Sequence, residues 1–173
     1  RRPRSPFKID VAGGGDLSAT VARWATGNPS VTVAGHVSRR EVSTILARSR
    51  AAVVPSQWEE TFGMVAVEAM AAGTAPVASA HGAFPELVTH GSDGALFPPT
   101  ELDALVDILA DVDDNPQRWD EYGRQGRLTY LSRFSPEVSI DRLLEIYRFA
   151  VEHPIERSGG RAPSSGGWMG AST

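Results

Sequence analysis

Residues 55–73 read PSQWEETFGMVAVEAMAAG, and this stretch decides both the fold and the candidate site of the 173-residue chain. A proline ends an apolar run, a polar loop follows, and the composition from Phe62 to Ala72 predicts a helix with Gly73 as its C-cap signal. From position 65 to 72 every residue is Val, Ala or Met except Glu68. A helix that is apolar around most of its circumference is predicted to be buried.

Glu68 needs a partner in such surroundings, because an unpaired buried carboxylate costs several kcal/mol. Sugar hydroxyls could supply the missing donors, and an Arg or a backbone group is the structural alternative. The N–H groups near Gly63, Met64 and Val65 lie at the positive end of the helix dipole, which binds phosphate readily. Met64 and Glu68 share one helix face, about 6 Å apart along the axis. A ribose beside a pyrophosphate fits that spacing.

Glu60 precedes the predicted helix and could reach hydroxyls on the far side of the same phosphates. The alternative is a first-turn carboxylate that only complements the helix dipole, which contributes about 0.3–1 kcal/mol. The residues alone leave both interpretations open.

Outward from this stretch, short apolar runs alternate with amphipathic segments. Strands are predicted at residues 7–12, 31–34, 51–54, 75–80 and 95–97, and helices at residues 16–25, 38–49, 62–72, 101–112, 116–131 and 136–152. Asp16 is predicted to cap the first helix, and Ser38 with Glu41 forms a predicted capping box. The last helix is predicted to pack through Val138, Leu143, Leu144, Ile146, Tyr147 and Ala150.

This alternation predicts an α/β fold with a mostly parallel, doubly wound sheet, because parallel strands need crossover connections and bury both faces. In such sheets ligands bind beyond the carboxyl ends of the strands. The loops after Ala12, Ala34, Val54 and Ala80 are therefore the candidate binding loops.

Charge and composition exclude several classes of protein. A net charge of −4 argues against a general polyanion binder, so no nucleic-acid partner is expected. The basic start, with Arg1, Arg2, Arg4 and Lys8, is interpreted as a solvated end, with nucleic-acid or anionic-membrane contact as the alternative. The chain contains no cysteine, which excludes disulfides, thiolate metal sites and a cysteine nucleophile.

The expected organisation is a linker or truncated start at 1–6, one domain at 7–153 and a disordered Gly/Ser/Pro-rich tail at 154–173. No signal peptide or membrane span is recognisable, so the predicted location is cytoplasmic, with at most peripheral contact at the inner membrane surface.

The residues around the helix form a recognisable string. In chain order it consists of Glu60, Phe62-Gly63, Glu68-Ala69-Met70, Gly73, Pro76-Val77, Gly82 and Pro85-Glu86. From about Val31 to Val151 the chain resembles the C-terminal, donor-binding domain of GT-B glycosyltransferases, particularly the large retaining family 4. The resemblance implies a Rossmann-like nucleotide-sugar-binding domain.

The resemblance also implies roles for individual residues. Glu68 would bind the ribose hydroxyls, Glu60 would contact the transferred sugar as the catalytic residue, and amides from Phe62 to Val65 would hold sugar and phosphate. The loop at His36 and Val37 would receive the base, although His36 fits an exposed loop residue equally well. The implied enzyme is a hexosyltransferase that uses a nucleotide diphosphate sugar and no metal. Glu86 is interpreted as a helix-start carboxylate.

The chain departs from the family pattern at its start. The family's earlier strand and helix, which carry Gly-Arg and Lys-Gly, and its acceptor-binding N-terminal domain have no counterpart in this sequence. The missing strand would leave a gap, or force the strands at Phe7 and Ala51 to pair directly. The isolated chain is therefore expected to be inactive without an acceptor-binding domain or partner chain.

Two alternatives remain at this point. The chain could be a truncated or degenerate subunit that binds nucleotide without catalysis or only supports a partner. It could also be an unrelated doubly wound domain, such as a receiver or a dinucleotide binder, for which Gly13-Gly14-Gly15 is a weak indication.

Overall fold

Five strands alternate with seven helices in the computed structural model, which describes residues 7–154. The predictions made for residues 1–6, including Arg1, Arg2 and Arg4, and for residues 155–173 lie outside this range. In chain order the elements are β1 (Ile9–Ala12), α1 (Ser18–Thr26), β2 (Val31–Gly35), α2 (Arg39–Arg48), β3 (Ala51–Val54), α3 (Met64–Ala71), β4 (Ala75–Ser79), α4 (Phe84–Leu87), β5 (Ala95–Phe97), α5 (Leu102–Asp114), α6 (Pro116–Arg133) and α7 (Pro136–Glu152).

All strand pairs within residues 7–154 are parallel, and they form two sheets. β1 pairs with β2, whereas β4 lies between β3 and β5. β1 and β3 do not pair with each other, so the predicted gap is present rather than direct pairing of these two strands. The α/β class with parallel strands and flanking helices is confirmed.

The core lies on both faces of the three-stranded sheet. Every residue of β4 is buried, and its side chains alternate between two clusters. Ala78 faces a cluster that contains Met70 and Phe84. Val77 faces the opposite cluster, which is built around Trp119. Burial of both faces is the reason that this strand reads as a continuous apolar run.

Helix α6 lies unusually close to the end of α3. A Cβ added to Gly123 would lie 2.2 Å from the backbone oxygen of Gly73. A Cβ added to Gly126 would lie 3.3 Å from Cγ of Met70. The two glycines, one turn apart, therefore form the contact surface on which α3 and β4 pack.

Local signals at helix ends are mostly confirmed. Ser38 Oγ accepts the Glu41 N–H at 3.3 Å, and the Glu41 carboxylate accepts the Ser38 N–H at 2.8 Å. The Ser38 hydroxyl donates to the same carboxylate at 2.7 Å, and this bond together with that from the Ser38 N–H lowers the pKa of Glu41. Gly73 follows α3 with a φ of +76°, and Thr74 N–H donates to Ala69 O at 2.9 Å, as in a helix C-cap motif.

The prediction that Asp16 caps α1 is wrong. The helix begins two residues later, at Ser18, and its N-cap position is occupied by Leu17 without a side-chain hydrogen bond. The Ser18 hydroxyl instead accepts the Gly15 N–H at 2.9 Å. The preceding glycine loop closes onto Ser18, which shifts the first helical turn beyond the reach of Asp16.

The packing predicted for α7 is also wrong for most of its residues. Val138 is half-buried, but the other five predicted packing residues, Leu143, Leu144, Ile146, Tyr147 and Ala150, are exposed. The reason is that α7 contacts chiefly the end of α6, so its apolar face has no partner within residues 7–154. None of the described helices has the length and apolar character needed to cross a bilayer.

One buried hydroxyl connects the end of α2 to the turn between α3 and β4. Thr74 is 2% exposed, and its Oγ1 donates to Leu46 O at 2.6 Å. We expect Thr74→Val to lower the free energy of unfolding by about 1 kcal/mol, because it removes this bond and keeps the side-chain shape. Urea denaturation measures the change.

Thr44→Val is the matched control, since Thr44 is exposed and its Oγ1 donates within its own helix to Arg40 O. Equal stability of the two variants would contradict the role given to Thr74.

Candidate functional site

The loop between β3 and α3 lies at the carboxyl end of β3, where a parallel sheet binds ligands. It borders a cavity of about 190 Å³. This volume is smaller than the roughly 300–1,000 Å³ of pockets that bury a whole drug-sized ligand. The cavity is lined by Val54, Glu60, Thr61, Phe62, Gly63, Met64, Val65 and Phe84. A ligand of that size would therefore extend beyond this cavity.

Gly63 shapes the start of α3. Its φ is +76°, in the left-handed region that favours glycine, and it stands at the N-cap position. An added Cβ would lie 2.7 Å from Cε1 of Phe84. The N–H groups of Gly63, Met64 and Val65 donate to no backbone carbonyl within residues 7–154. Three free amides thus lie beside the cavity at the positive end of the helix.

Helix α3 is buried on one side only, which corrects the prediction of burial around most of its circumference. Ala66, Val67, Ala69 and Met70 are buried, whereas Met64 is 55% and Val65 is 50% exposed. Glu68 is half-buried and belongs to this second face, one turn after Met64. The described elements cover that face only in part, so its first turn stays open despite its apolar composition.

The Glu68 carboxylate does not line the cavity. It also has no hydrogen bond or ion pair with any other residue of the described range 7–154. The structural alternative of a fixed Arg or backbone partner is therefore not found there. A half-buried carboxylate without a partner is open to donors from a ligand.

Glu60 lies in the loop before α3, as predicted, and it is held at three points. Its N–H donates to Trp58 O at 2.8 Å, and its carbonyl accepts the Ala83 N–H at 2.9 Å. Its carboxylate Oε1 accepts the Ser56 hydroxyl at 3.0 Å. Neighbouring Glu59 differs, since its side chain is 87% exposed and its Oε1 lies 3.6 Å from Nε2 of His81. Of these two glutamates, Glu60 borders the cavity and Glu59 does not.

Sequence reasoning missed Gly82 and Ser56 as residues that support Glu60. Gly82 has a φ of +56°, and an added Cβ would lie 2.6 Å from the Glu60 nitrogen. The available signal was the glycine that follows a buried strand and precedes Pro85-Glu86. Phe134 was also missed, and its ring packs edge-on against Phe62 with the centroids 6.3 Å apart. Nothing local in the sequence indicates that contact.

The loop at His36 and Val37 lies apart from the cavity lining. His36 is exposed and Val37 is half-buried. A Cβ on Gly14 would lie 2.6 Å from Nε2 of His36, so the loops after β1 and β2 touch each other. Glu86 lies in the first turn of α4, as predicted for a helix-start carboxylate.

The residues described in the structure bring together no group of three side chains suited to holding a metal ion. The groups that can bind an anion at this site are backbone amides, and those that can accept hydroxyl hydrogens are Glu60 and Glu68. The arrangement combines donors for an anion with carboxylate acceptors for hydroxyl groups.

The chain is similar to known proteins over most of its length. A family model described as "Glycosyl transferases group 1" matches residues 1–129. The MMP alpha-(1->4)-mannosyltransferase of Mycolicibacterium hassiacum is 36% identical over 118 residues, which are 66% of this chain and 28% of that protein. The D-inositol 3-phosphate glycosyltransferase 1 of Catenulispora acidiphila is 39% identical over 100 residues, or 58% of this chain and 23% of that protein.

Two solved structures share the fold. Sucrose-phosphate synthase from Thermosynechococcus elongatus superposes with a TM-score of 0.75 at 26% identity, over 84% of this chain and 39% of that one. Anabaena HepE in complex with UDP-glucose also gives 0.75, at 22% identity over 86% of this chain and 42% of that one. The chain thus spans between 23% and 42% of the length of these relatives. Because the family model matches 129 of its 173 residues, the chain belongs to the group 1 glycosyl transferases.

Proposed function

We propose that this chain is the donor-binding half of a retaining, family 4 glycosyltransferase, which transfers a hexosyl unit from a nucleotide diphosphate sugar to an acceptor. One observation carries the proposal. The free amides of Gly63, Met64 and Val65 border the same cavity as the Glu60 carboxylate. An anion site and a hydroxyl acceptor therefore adjoin each other, as a sugar diphosphate requires.

Each site residue has a role in this proposal. The amides hold the diphosphate and stabilise the charge that develops on it as the glycosidic bond breaks. Glu60 accepts hydrogen bonds from the transferred sugar and positions it. Glu68, one turn along the helix, binds the ribose hydroxyls. Phe62 forms part of the sugar pocket, and the loop at His36 and Val37 receives the base.

The proposed donor site uses no metal ion, because the amides at the start of α3 supply the positive potential. We expect nucleotide affinity to change less than twofold when EDTA replaces magnesium. Isothermal titration calorimetry measures it. A tenfold or larger loss in EDTA would contradict this part of the proposal.

Catalysis also requires an acceptor-binding domain, supplied by a longer protein or by a partner chain. The exposed apolar side chains of α7, including Ile146, Tyr147 and Phe149, offer a surface for it. The unpaired edges of β1 and β3 leave the place of the missing strand, which the longer protein or partner chain would also supply. The chain on its own is proposed to bind the donor without transferring the sugar.

The test is titration of the purified chain with UDP, GDP and ADP and with UDP-glucose, GDP-mannose and ADP-glucose. We expect saturable binding of one nucleotide and of its sugar conjugate, with one site per chain. Absence of all binding would overturn the proposal and favour the non-catalytic scaffold. Binding of a nucleotide without added affinity for its sugar conjugate would favour the nucleotide-binding subunit that lacks a sugar site.

A further inference from the structure

We propose that Ser56 is a positioning residue for Glu60, and that Ser79 holds Ser56 in place for this role. This inference rests on the proposed donor site and adds the residues that orient its carboxylate. The observation is a short chain of contacts. The Ser79 hydroxyl donates to Ser56 O at 2.6 Å, and the Ser56 hydroxyl donates to Glu60 Oε1 at 3.0 Å.

The first link begins in the core. Ser79 is the last residue of β4, is fully buried, and follows four apolar residues of the same strand. A buried hydroxyl is costly unless it is hydrogen-bonded, so its presence at this position requires a partner. Ser56 O is that partner, which gives Ser79 a specific task at the edge of the core.

The backbone hydrogen bonds between β3 and β4 do not extend far enough to hold Ser56. The register of β3 and β4 ends at the pair Val54 and Ala78. Pro55 follows and has no N–H to continue the ladder. Beyond this point the Ser79 hydroxyl holds the chain instead, through its hydrogen bond to Ser56 O.

The second link acts on the carboxylate itself. Ser56 occupies Oε1 of Glu60, whereas Oε2 has no hydrogen-bond partner among residues 7–154. Glu60 lines the cavity, and we assign its unoccupied oxygen to a sugar hydroxyl. A glutamate side chain has several rotatable bonds, and the Ser56 hydroxyl selects one arrangement before the ligand arrives.

The backbone of Glu60 is restrained independently of Ser56. Ala83 N–H donates to Glu60 O, and Gly82 approaches the Glu60 nitrogen so closely that no side chain fits between them. Loss of the Ser56 hydroxyl should therefore free the carboxylate while the loop keeps its path. A purely structural role of Ser56 would instead disturb the whole loop, including the amides that bind phosphate.

These two roles differ in the ligand they affect. The test is a calorimetric comparison of wild type with each variant. The affinity is measured for the nucleoside diphosphate that binds best and for its sugar conjugate. For Ser56→Ala we expect about tenfold weaker binding of the sugar conjugate and a change below twofold for the nucleoside diphosphate. Ser56→Thr, which keeps the hydroxyl, should recover most of the lost affinity.

Ser79→Ala tests the first link, and we expect the same selective loss, because the Ser56 carbonyl is released. Ser132→Ala is the matched control, since Ser132 is exposed and donates only to Thr129 O within its helix. Melting temperatures establish that each variant is folded.

Equal losses for both ligands in Ser56→Ala, or no loss for either, would overturn this inference and leave the proposed function standing. Wild-type chain that binds neither ligand would overturn the proposed function and the inference with it.

Discussion

Replacement of Glu68 by alanine should weaken binding of the nucleoside diphosphate by about 100-fold, or roughly 2.7 kcal/mol. The proposed role of Glu68 is to accept hydrogen bonds from two ribose hydroxyls. A hydrogen bond to a charged group contributes about 1.5–3 kcal/mol, so the loss of one or both accounts for this effect. Calorimetric titration of wild type and Glu68→Ala measures it directly.

The structure separates this effect from a loss of stability. Glu68 has no hydrogen bond or ion pair within residues 7–154, so its removal breaks no internal polar contact there. Alanine is also the better helix former. We therefore expect the melting temperature of Glu68→Ala to equal or exceed that of wild type.

Glu59→Ala provides the matched control for charge. It removes one carboxylate from the same region, but the Glu59 side chain is 87% exposed, lies near His81 and does not line the cavity. Affinity should change less than twofold. Glu68 would have no role in binding if both variants bound the nucleotide as tightly as wild type.

The second large effect is on stability. Gly123→Ala should lower the free energy of unfolding by about 3 kcal/mol, because overpacking of a well-packed contact costs typically 1–3 kcal/mol and here the obstacle is backbone. The new Cβ would meet Gly73 O at 2.2 Å and Gly73 C at 3.1 Å. The helix α6 must then move away from α3 and β4. The expected fall in melting temperature is roughly 6–12 °C.

Gly27→Ala is the control for a glycine that has room. Gly27 lies at the end of α1 with a φ of −86°, and the nearest atom to an added Cβ is Trp24 O at 3.8 Å. Its stability should stay within about 0.5 kcal/mol of wild type, as for surface substitutions in general. Thermal denaturation compares the two variants. Equal melting temperatures would contradict the close contact between α3 and α6.

Local sequence patterns predicted most of the element order. The alternation of apolar runs and amphipathic helices indicated the α/β class with parallel strands, and the structure confirms it. The capping box of Ser38 and the C-cap at Gly73 were also predicted correctly. These signals involve residues within one or two turns of each other, so the chain carries them without any help from distant contacts.

The candidate site was predicted in part. Glu60 and the segment from Phe62 to Val65 do lie together around one cavity, because a loop and the first turn of the following helix are neighbours in any such fold. Their proposed roles stay predictions until ligand binding is measured. The loop at His36 comes from another strand end, and its place relative to the cavity depends on how the sheets are arranged.

By itself, the sequence determined the alternation of strands and helices, the helix-end motifs and the string that marks the family. Only the tertiary structure decided which apolar faces are covered. It left one face of α3 and most of α7 open, separated β1 from β3, and brought Ser56, Gly82 and Ala83 around Glu60. The physical reason is that hydrophobicity tells which surfaces gain from burial, whereas burial itself requires a partner surface from elsewhere in the chain or from another chain.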